Sequence, residues 1–238
     1  MTNIKDNYKI VINNIADATN NSGRNLEDVK IITVSKMRDV DVIREAIKAD
    51  IRYFGENYPE QAVSKIEEIN DNTIEWHMIG HIQSRKTKLV AKYFDYVHSI
   101  DRVKIAGRLN NDLTLLKKRL PILIELNVSG EESKFGWPAF EPTDWEKLRP
   151  DIESLLAMGN LTLRGLMTMP PLCENGLSRK YFVRLRKIQE FLSNIYGEEY
   201  FRELSMGTSF DYKIAVEEGA TIVRIGEAIL GPRIYKKQ

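Results

Sequence analysis

KIITVSK, Lys30 to Lys36, is the stretch that decides the fold. It is a β-branched run that ends in a lysine, and a helix-like segment follows. Alternation puts Ile32 and Val34 on one face and Ile31 and Thr33 on the other. Little is polar before Ser35 and Lys36, so both faces are expected to be covered, as in a parallel sheet. A lysine at the carboxyl end of such a strand points to the place where open and closed parallel sheets bind ligands. A snorkelling lysine at a strand end would look the same. The rest of the chain has to separate the two.

Upstream, Ile4, Tyr8, Val11, Ile12 and Ile15 recur at three and four, the spacing of an amphipathic helix that ends at Asn20-Asn21-Ser22-Gly23. Downstream, strand and helix alternate. Asp39 is placed to cap a helix bearing Val42, Ile43, Ala46 and Ile47. Arg52 to Gly55 spells a strand and Pro59 to Ile69 a helix. Glu75 to Gly80 is a strand, with a helix through Leu89 and Val90 behind it. Tyr96 to Ile100 is a strand, and Asp101 is placed to cap the helix of Val103, Ala106, Leu109, Leu113 and Leu116. Pro121 opens ILIELNV, the most continuous apolar strand, and the loop SGEESKFGWP follows. Thr143 and Glu146 have capping-box spacing for a helix to about Met158. Leu161 to Met167 is a strand, then comes a Pro-Pro loop, then a helix marked by Phe182, Leu185, Ile188 and Leu192. Glu203 to Met206 is a strand end, Ser209 is placed to cap a helix stopping at Gly219, and Thr221 to Ile225 is the last strand. A helical turn from Glu227 to Leu230 and a polar tail finish the chain.

Eight strand-then-helix units within 238 residues, one extra helix in front and no Pro/Gly/Ser-rich linker predict one domain over residues 1–238. Its class is α/β, and its architecture a (β/α)8 TIM-type barrel with an extra N-terminal helix. The competing arrangement, a doubly wound sheet, would need fewer strands and a switch point.

Composition narrows the function. Hydrophobic content of 42% and charged content of 29% are those of a folded globular chain. A net charge of +1 argues against a protein whose task is to neutralise nucleic-acid phosphates. The cluster Arg179, Lys180, Arg184, Arg186 and Lys187 is explained as the solvated face of an amphipathic helix. One cysteine, Cys173, excludes an internal disulfide, fits a reducing compartment, and has no base or helix beside it to make it a nucleophile. MTNIKDNYKI carries no apolar signal region, and no apolar run approaches the length of a membrane span, so the cytoplasm is the expected location.

In such a barrel, phosphate is commonly held by the loops after the seventh and eighth strands. Here those loops read Ser205-Met206-Gly207-Thr208-Ser209 and Arg224-Ile225-Gly226-Glu227. Both are Gly-containing strand-to-helix junctions that present backbone N–H groups to an anion. Opposite a strand-end lysine, they suggest a phosphorylated carbonyl compound held as a Schiff base. The lysine must be unprotonated to attack an aldehyde, against an ordinary pKa of about 10.4, so it needs apolar or cationic surroundings. Arg224 could supply the cation. Position and residue type leave open whether the compound is pyridoxal 5′-phosphate or the sugar phosphate of an aldolase.

VSK at 34–36, FGENY at 54–58, WHMIGHIQSRK at 76–86, SGEESKFG at 129–136, LRGLMTMPP at 163–171, LSMGTSFDYKIAVEEGAT at 204–221 and VRIGEAILG at 223–231 together resemble the pyridoxal phosphate homeostasis protein family. That family in turn resembles the N-terminal barrel of bacterial alanine racemase. The resemblance runs along nearly the whole chain. It implies that Lys36 holds pyridoxal 5′-phosphate covalently as an internal aldimine. It implies that Arg224 faces the pyridine nitrogen and keeps it unprotonated, which weakens the ring as an electron sink. Ser205, Gly207, Ser209, Gly226 and the N–H of Glu227 match the phosphate-binding turns, and Asn57 and His81 match polar residues lining the cleft. Thr208 departs from a methionine in the family pattern, and Arg85 from an asparagine. Neither removes a group on which the imine depends.

Other constellations are weaker. His77 and His81 are four apart, but His77 belongs to a strand, HExxH is absent, and no cysteine or carboxylate set accompanies them, so no metal site is expected. Trp137 and Trp145 flank a Pro-rich turn and are expected to pack. Alanine racemases resembling this barrel carry a second, β-rich domain that supplies a catalytic tyrosine to the partner subunit. This chain ends at Gln238, and only Lys36 is placed as a base, with Tyr58 a conceivable second group. The expected role is therefore storage, delivery or regulation of the cofactor by a monomer, with pyridoxal phosphate-dependent apoenzymes as partners and no assigned catalytic residue. A racemase is the alternative, and a cofactor-free class I aldolase-like enzyme the third reading.

Overall fold

The β-branched and aromatic runs expected as strands all pair, and they pair in a ring. The computed structural model describes residues 3–171 and 177–232, so Cys173 and the polar end of the chain lie outside the described residues. The strands are β1 (Lys30–Val34), β2 (Tyr53–Glu56), β3 (Glu75–Met78), β4 (Tyr96–Ile100), β5 (Leu120–Asn127), β6 (Trp137–Pro138), β7 (Leu161–Met167), β8 (Glu203–Ser205) and β9 (Ile222–Ile225). All pairings are parallel. β6 only lies against the end of β5, while the other eight close on themselves, with Ile32 of β1 opposite Arg224 of β9 and Val97 of β4 opposite Ile122 of β5. Closure leaves no switch point and rules out the doubly wound sheet. The eight-stranded barrel with an N-terminal helix is the fold.

The helices are α1 (Ile4–Asn21), α2 (Val40–Lys48), α3 (Pro59–Ile69), α4 (Thr87–Tyr93), α5 (Val103–Leu116), α6 (Pro142–Lys147), α7 (Arg149–Leu156), α8 (Arg179–Tyr196), α9 (Tyr212–Glu217) and α10 (Glu227–Leu230). Their apolar stripes and the outward strand residues form one large core around the barrel. Inside it, Ile32, Tyr96, Leu123, Met167 and Ile222 form a separate cluster, the interior filling expected of a closed parallel barrel. α1 is tied to the last helices by Asn7 Nδ2 donating to Ile229 O at 3.0 Å and Asn14 Nδ2 donating to the Tyr212 hydroxyl at 2.9 Å.

Several expected caps are corrected. Asp101 does not cap α5: the N-cap position is Arg102, and the Asp101 carboxylate accepts from the Arg102 guanidinium at 2.7 and 2.8 Å. The capping box is Glu141 with Asp144, not Thr143 with Glu146, because Pro142 takes the first helical position and moves the start back. The expected helix to Met158 is split at Leu148 into α6 and α7. Asp39 precedes α2 without a side-chain cap. Ser209 lies before α9, whose N-cap position is Asp211. Trp137 and Trp145 pack: their indole N–H groups donate to Asp151 Oδ2 at 2.6 Å and Ala139 O at 3.3 Å.

Candidate functional site

The carboxyl ends of the strands surround a cavity of about 330 Å³. Val34 ends β1 and Lys36 follows it, Asn57 follows β2 and Ile79 follows β3; Lys134 comes from the loop after β5. Met169 and Pro170 follow β7, Gly207 to Asp211 follow β8, and Arg224, Gly226 and Glu227 belong to β9 and its turn. The volume suits a small ligand.

Lys36 is half-buried and its backbone is held from both sides. Ser35 N donates to Gly55 O at 3.0 Å, and Met37 turns the chain with a left-handed φ of 59°. Beneath the turn is a buried ion pair. Lys65 Nζ donates to Glu56 Oε1 at 2.7 Å and to Ser35 O at 2.9 Å, and Ser35 Oγ donates to the same Glu56 oxygen at 2.7 Å. A buried pair holds its place only when further hydrogen bonds satisfy it, and Ser35 supplies them. Asn57 comes close because Gly80 has no side chain: a Cβ there would lie 2.4 Å from Asn57 O.

The two turns expected to face a phosphate are interlocked. Ser209 Oγ accepts from Gly226 N at 3.2 Å and Ala228 N at 3.3 Å, and Arg224 N donates to Gly207 O at 3.0 Å. Gly207 has a φ of 92°, and a Cβ on it would lie 2.6 Å from Ala215 Cβ, so only glycine fits the turn. Asp211 Oδ1 accepts from Thr208 N at 2.7 Å and from the Thr208 hydroxyl at 3.0 Å. Threonine at this departure from the family pattern thus braces the turn. α9 and α10 have only six and four residues, too short for their dipoles to define an anion site.

Arg224 is buried below the cavity. It donates to Ser205 Oγ at 2.5 Å and to Thr168 O at 2.8 Å. Burial lowers its pKa to about 10, with Glu125 and Asp211 opposing that shift. Glu125, on the inward face of β5, is pushed up to about 7 by burial and by Asp101, against the pull of Arg224.

Seven of the nine residues singled out from the sequence line the cavity: Lys36, Asn57, Gly207, Ser209, Arg224, Gly226 and Glu227. Ser205 does not; its hydroxyl is fully buried between Arg224 and His98 Nδ1, 2.8 Å away. His81 does not either. It stacks on Phe135 with ring centroids 4.0 Å apart, and its Nδ1 lies 2.8 Å from Asp101 Oδ2. His77 occupies the barrel interior instead. Among the described residues no three metal-ligating side chains gather. Lys134, Asp211, Glu56 and Glu125 were not singled out. A carboxylate inside the apolar run ILIELNV was a readable signal for Glu125. Arg85 is exposed and bonds Gln83 Oε1 at 3.1 Å, away from the cavity.

Comparison with known proteins gives this geometry a context. The family model described as alanine racemase, N-terminal domain, matches residues 9–233. A pyridoxal phosphate homeostasis protein of Vibrio alginolyticus is 41% identical over 240 residues, covering 99% of this chain and all of that one. The protein of that name from Escherichia coli K12 is 37% identical, with full coverage of both. PipY of Synechococcus elongatus, solved with PLP bound, superposes with a TM-score of 0.77 at 32% identity, covering 86% of this chain and 93% of that one. Alanine racemase of Clostridium difficile has a TM-score of 0.69 at 16% identity, covering 95% of this chain and 58% of that one, and so shares the fold.

Proposed function

The chain belongs to the pyridoxal phosphate homeostasis protein family, and from that premise we propose that it binds pyridoxal 5′-phosphate and acts in the homeostasis of that cofactor. The observation that carries the reading is convergence: a strand-end lysine, two interlocked glycine turns and a buried arginine meet at one cavity of about 330 Å³. The residues fit the group. Asn57 Oδ1 is buried with no hydrogen-bond partner among the described residues, an acceptor suited to a ligand donor. Gly207, Ser209 and Gly226 line the cavity, where turn amides would face an anion.

In this reading Lys36 would hold the cofactor through its aldehyde, the amides around Gly207, Ser209 and Glu227 would hold the phosphate, and Arg224 would face the ring. The whole chain is taken as one barrel domain, located in the cytoplasm, that exchanges cofactor with pyridoxal phosphate-dependent apoenzymes. The homeostasis role is favoured over a racemase because racemisation needs an acid/base group on each face of the substrate Cα, and Lys36 serves only one face.

Purified protein is expected to be yellow, or to become so on addition of pyridoxal 5′-phosphate. Borohydride should then fix a pyridoxyl group on Lys36, found by mass spectrometry. Protein that stays colourless with added cofactor overturns the reading. Sustained racemase turnover by highly purified protein, lost in Lys36→Ala, would replace homeostasis with catalysis.

A further inference from the structure

Between the two mouths of the barrel, one line of polar groups crosses the apolar interior. Arg224 is 3% exposed, and Ser205, His98 and His77 are fully buried. Arg224 donates to Ser205 Oγ at 2.5 Å. Ser205 Oγ lies 2.8 Å from His98 Nδ1, and His98 Nε2 lies 2.9 Å from His77 Nδ1. His77 Nε2 lies 2.9 Å from Glu75 Oε1, off the ring N–H axis, so this last contact acts mainly through charge. Lys30 Nζ holds the same oxygen at 3.1 Å. The line begins beneath the cavity and ends at the opposite mouth. There Lys30, Glu75, Tyr96, Arg164 and Glu203 help line a second cavity of about 420 Å³.

Donor counting gives the line a direction. A guanidinium only donates. Ser205 Oγ therefore accepts from Arg224 and passes its single proton to His98 Nδ1. A neutral His98 then carries its proton on Nε2 and gives it to His77 Nδ1, which leaves His77 Nε2–H facing the Glu75 carboxylate. The reverse order would strand the Ser205 proton and set a ring lone pair against a carboxylate at 2.9 Å. Burial lowers the pKa of both rings, and the cations of Arg224 and Lys30 press the same way on His98. Glu75 opposes this at His77 and is outweighed by burial. The other charged groups acting on His77 are Lys30, which lowers its pKa, and Asp95, which raises it.

We propose that this line is a one-way hydrogen-bond chain that holds Arg224 as a fixed donor at the cavity and ties its setting to Glu75 at the far mouth. Ser205, His98 and His77 are positioning residues for Arg224. The chain stands on geometry alone; its effect on bound cofactor rests on the function proposed above.

Histidine-15N NMR of the full chain without added cofactor tests the chain by itself. His77 and His98 are expected to be neutral with the proton on Nε2 throughout the pH range of the folded protein. A proton on Nδ1 of either ring, or titration of either near pH 6.5, overturns the proposal. A second arm adds pyridoxal 5′-phosphate and follows its release rate and absorption band. His98→Phe keeps a ring but ends the chain, and release is expected to be about tenfold faster. Glu75→Leu, at the mouth and safer for folding, is expected to quicken release about threefold, and Glu75→Gln, which also removes the charge, is expected to quicken it as well. Equal rates and bands in wild type, His98→Phe and Glu75→Leu overturn the coupling and leave the cofactor reading intact. Failure of wild type to bind overturns the cofactor reading, while the NMR arm still decides the chain.

Discussion

Lys30 and Lys36 bracket strand β1: Lys30 opens it and Lys36 lies two residues past its end. At the amino end, Lys30 pairs with Glu75 at 3.1 Å and lies over the Tyr53 ring at 4.7 Å. Arg164 and Glu203 face each other across the same mouth at 3.7 Å. At the carboxyl end, Lys36 lines a cavity with Asn57, Arg224 and two glycine turns. Around that mouth Met37, Tyr58, Phe135, Met169 and Phe210 are exposed. Residue type does not separate the two lysines. What separates them is what the neighbouring strands bring to each end: compensating charge at one, glycine turns and a buried arginine at the other.

The sharpest way to break this comparison is to exchange the roles. Lys36→Ala is expected to abolish borohydride-fixed pyridoxyl on the protein, while Lys30→Ala keeps wild-type labelling by mass spectrometry. Equal loss in both would mean that the ends are not chemically distinct.

The next effect lies between the mouths. The Glu125 carboxyl is pushed up to about 7 from an ordinary 4.5 by burial. Between those values the native state keeps a proton that the unfolded chain has released, so stability falls as pH rises through the window. The loss amounts to roughly 3 kcal/mol by pH 8. Glu125→Gln is expected to flatten urea-unfolding stability between pH 4.5 and 7. An unchanged slope would show that Glu125 titrates normally, and so that this end of the barrel accommodates a buried carboxylate charge.

A smaller effect tests the glycine turn. Gly207→Ala places a Cβ 2.6 Å from Ala215 Cβ at a φ of 92°. The expected cost is about 2 kcal/mol in urea unfolding, together with weaker cofactor retention. Gly23→Ala, at a φ of 70° with nothing within 4 Å, is the reference for backbone strain alone, at about 1 kcal/mol without change in retention. If both variants retain cofactor equally, the β8 turn does not hold the phosphate.

Much of this was legible in the sequence for physical reasons. Parallel strands buried on both faces are written as β-branched runs, so all eight barrel strands could be read, and barrel closure follows from their number. Glycine turns and a strand-end lysine are local, so Lys36, Gly207 and Gly226 could be read too. What escaped depends on distant partners. Ser205 belongs to a phosphate turn by spacing, yet Arg224 and His98, 19 and 107 residues away in sequence, draw its hydroxyl into the interior. Asp101 has the sequence of a cap, yet its carboxylate faces His81, 20 residues away, as well as Arg102. Glu56 matters because Lys65 and Ser35 meet on it, and no pattern within FGENY announces that.

The smallest expected effect sharpens the amino end. Lys30 and Glu75 are 33% and 34% exposed, so water screens their attraction. A double-mutant cycle with Lys30→Ala and Glu75→Ala is expected to give a coupling of about 0.5 kcal/mol that shrinks as salt is raised. Glu75 also faces buried His77, so Glu75→Ala alone should cost more than Lys30→Ala alone. That inequality is the telling result, because exposure of the two side chains is nearly the same and Lys30 has its own contact with the Tyr53 ring, so a larger cost at Glu75 points to His77. Equal single costs would make this mouth a plain surface ion pair; unequal costs tie its carboxylate to the interior line that ends at Arg224.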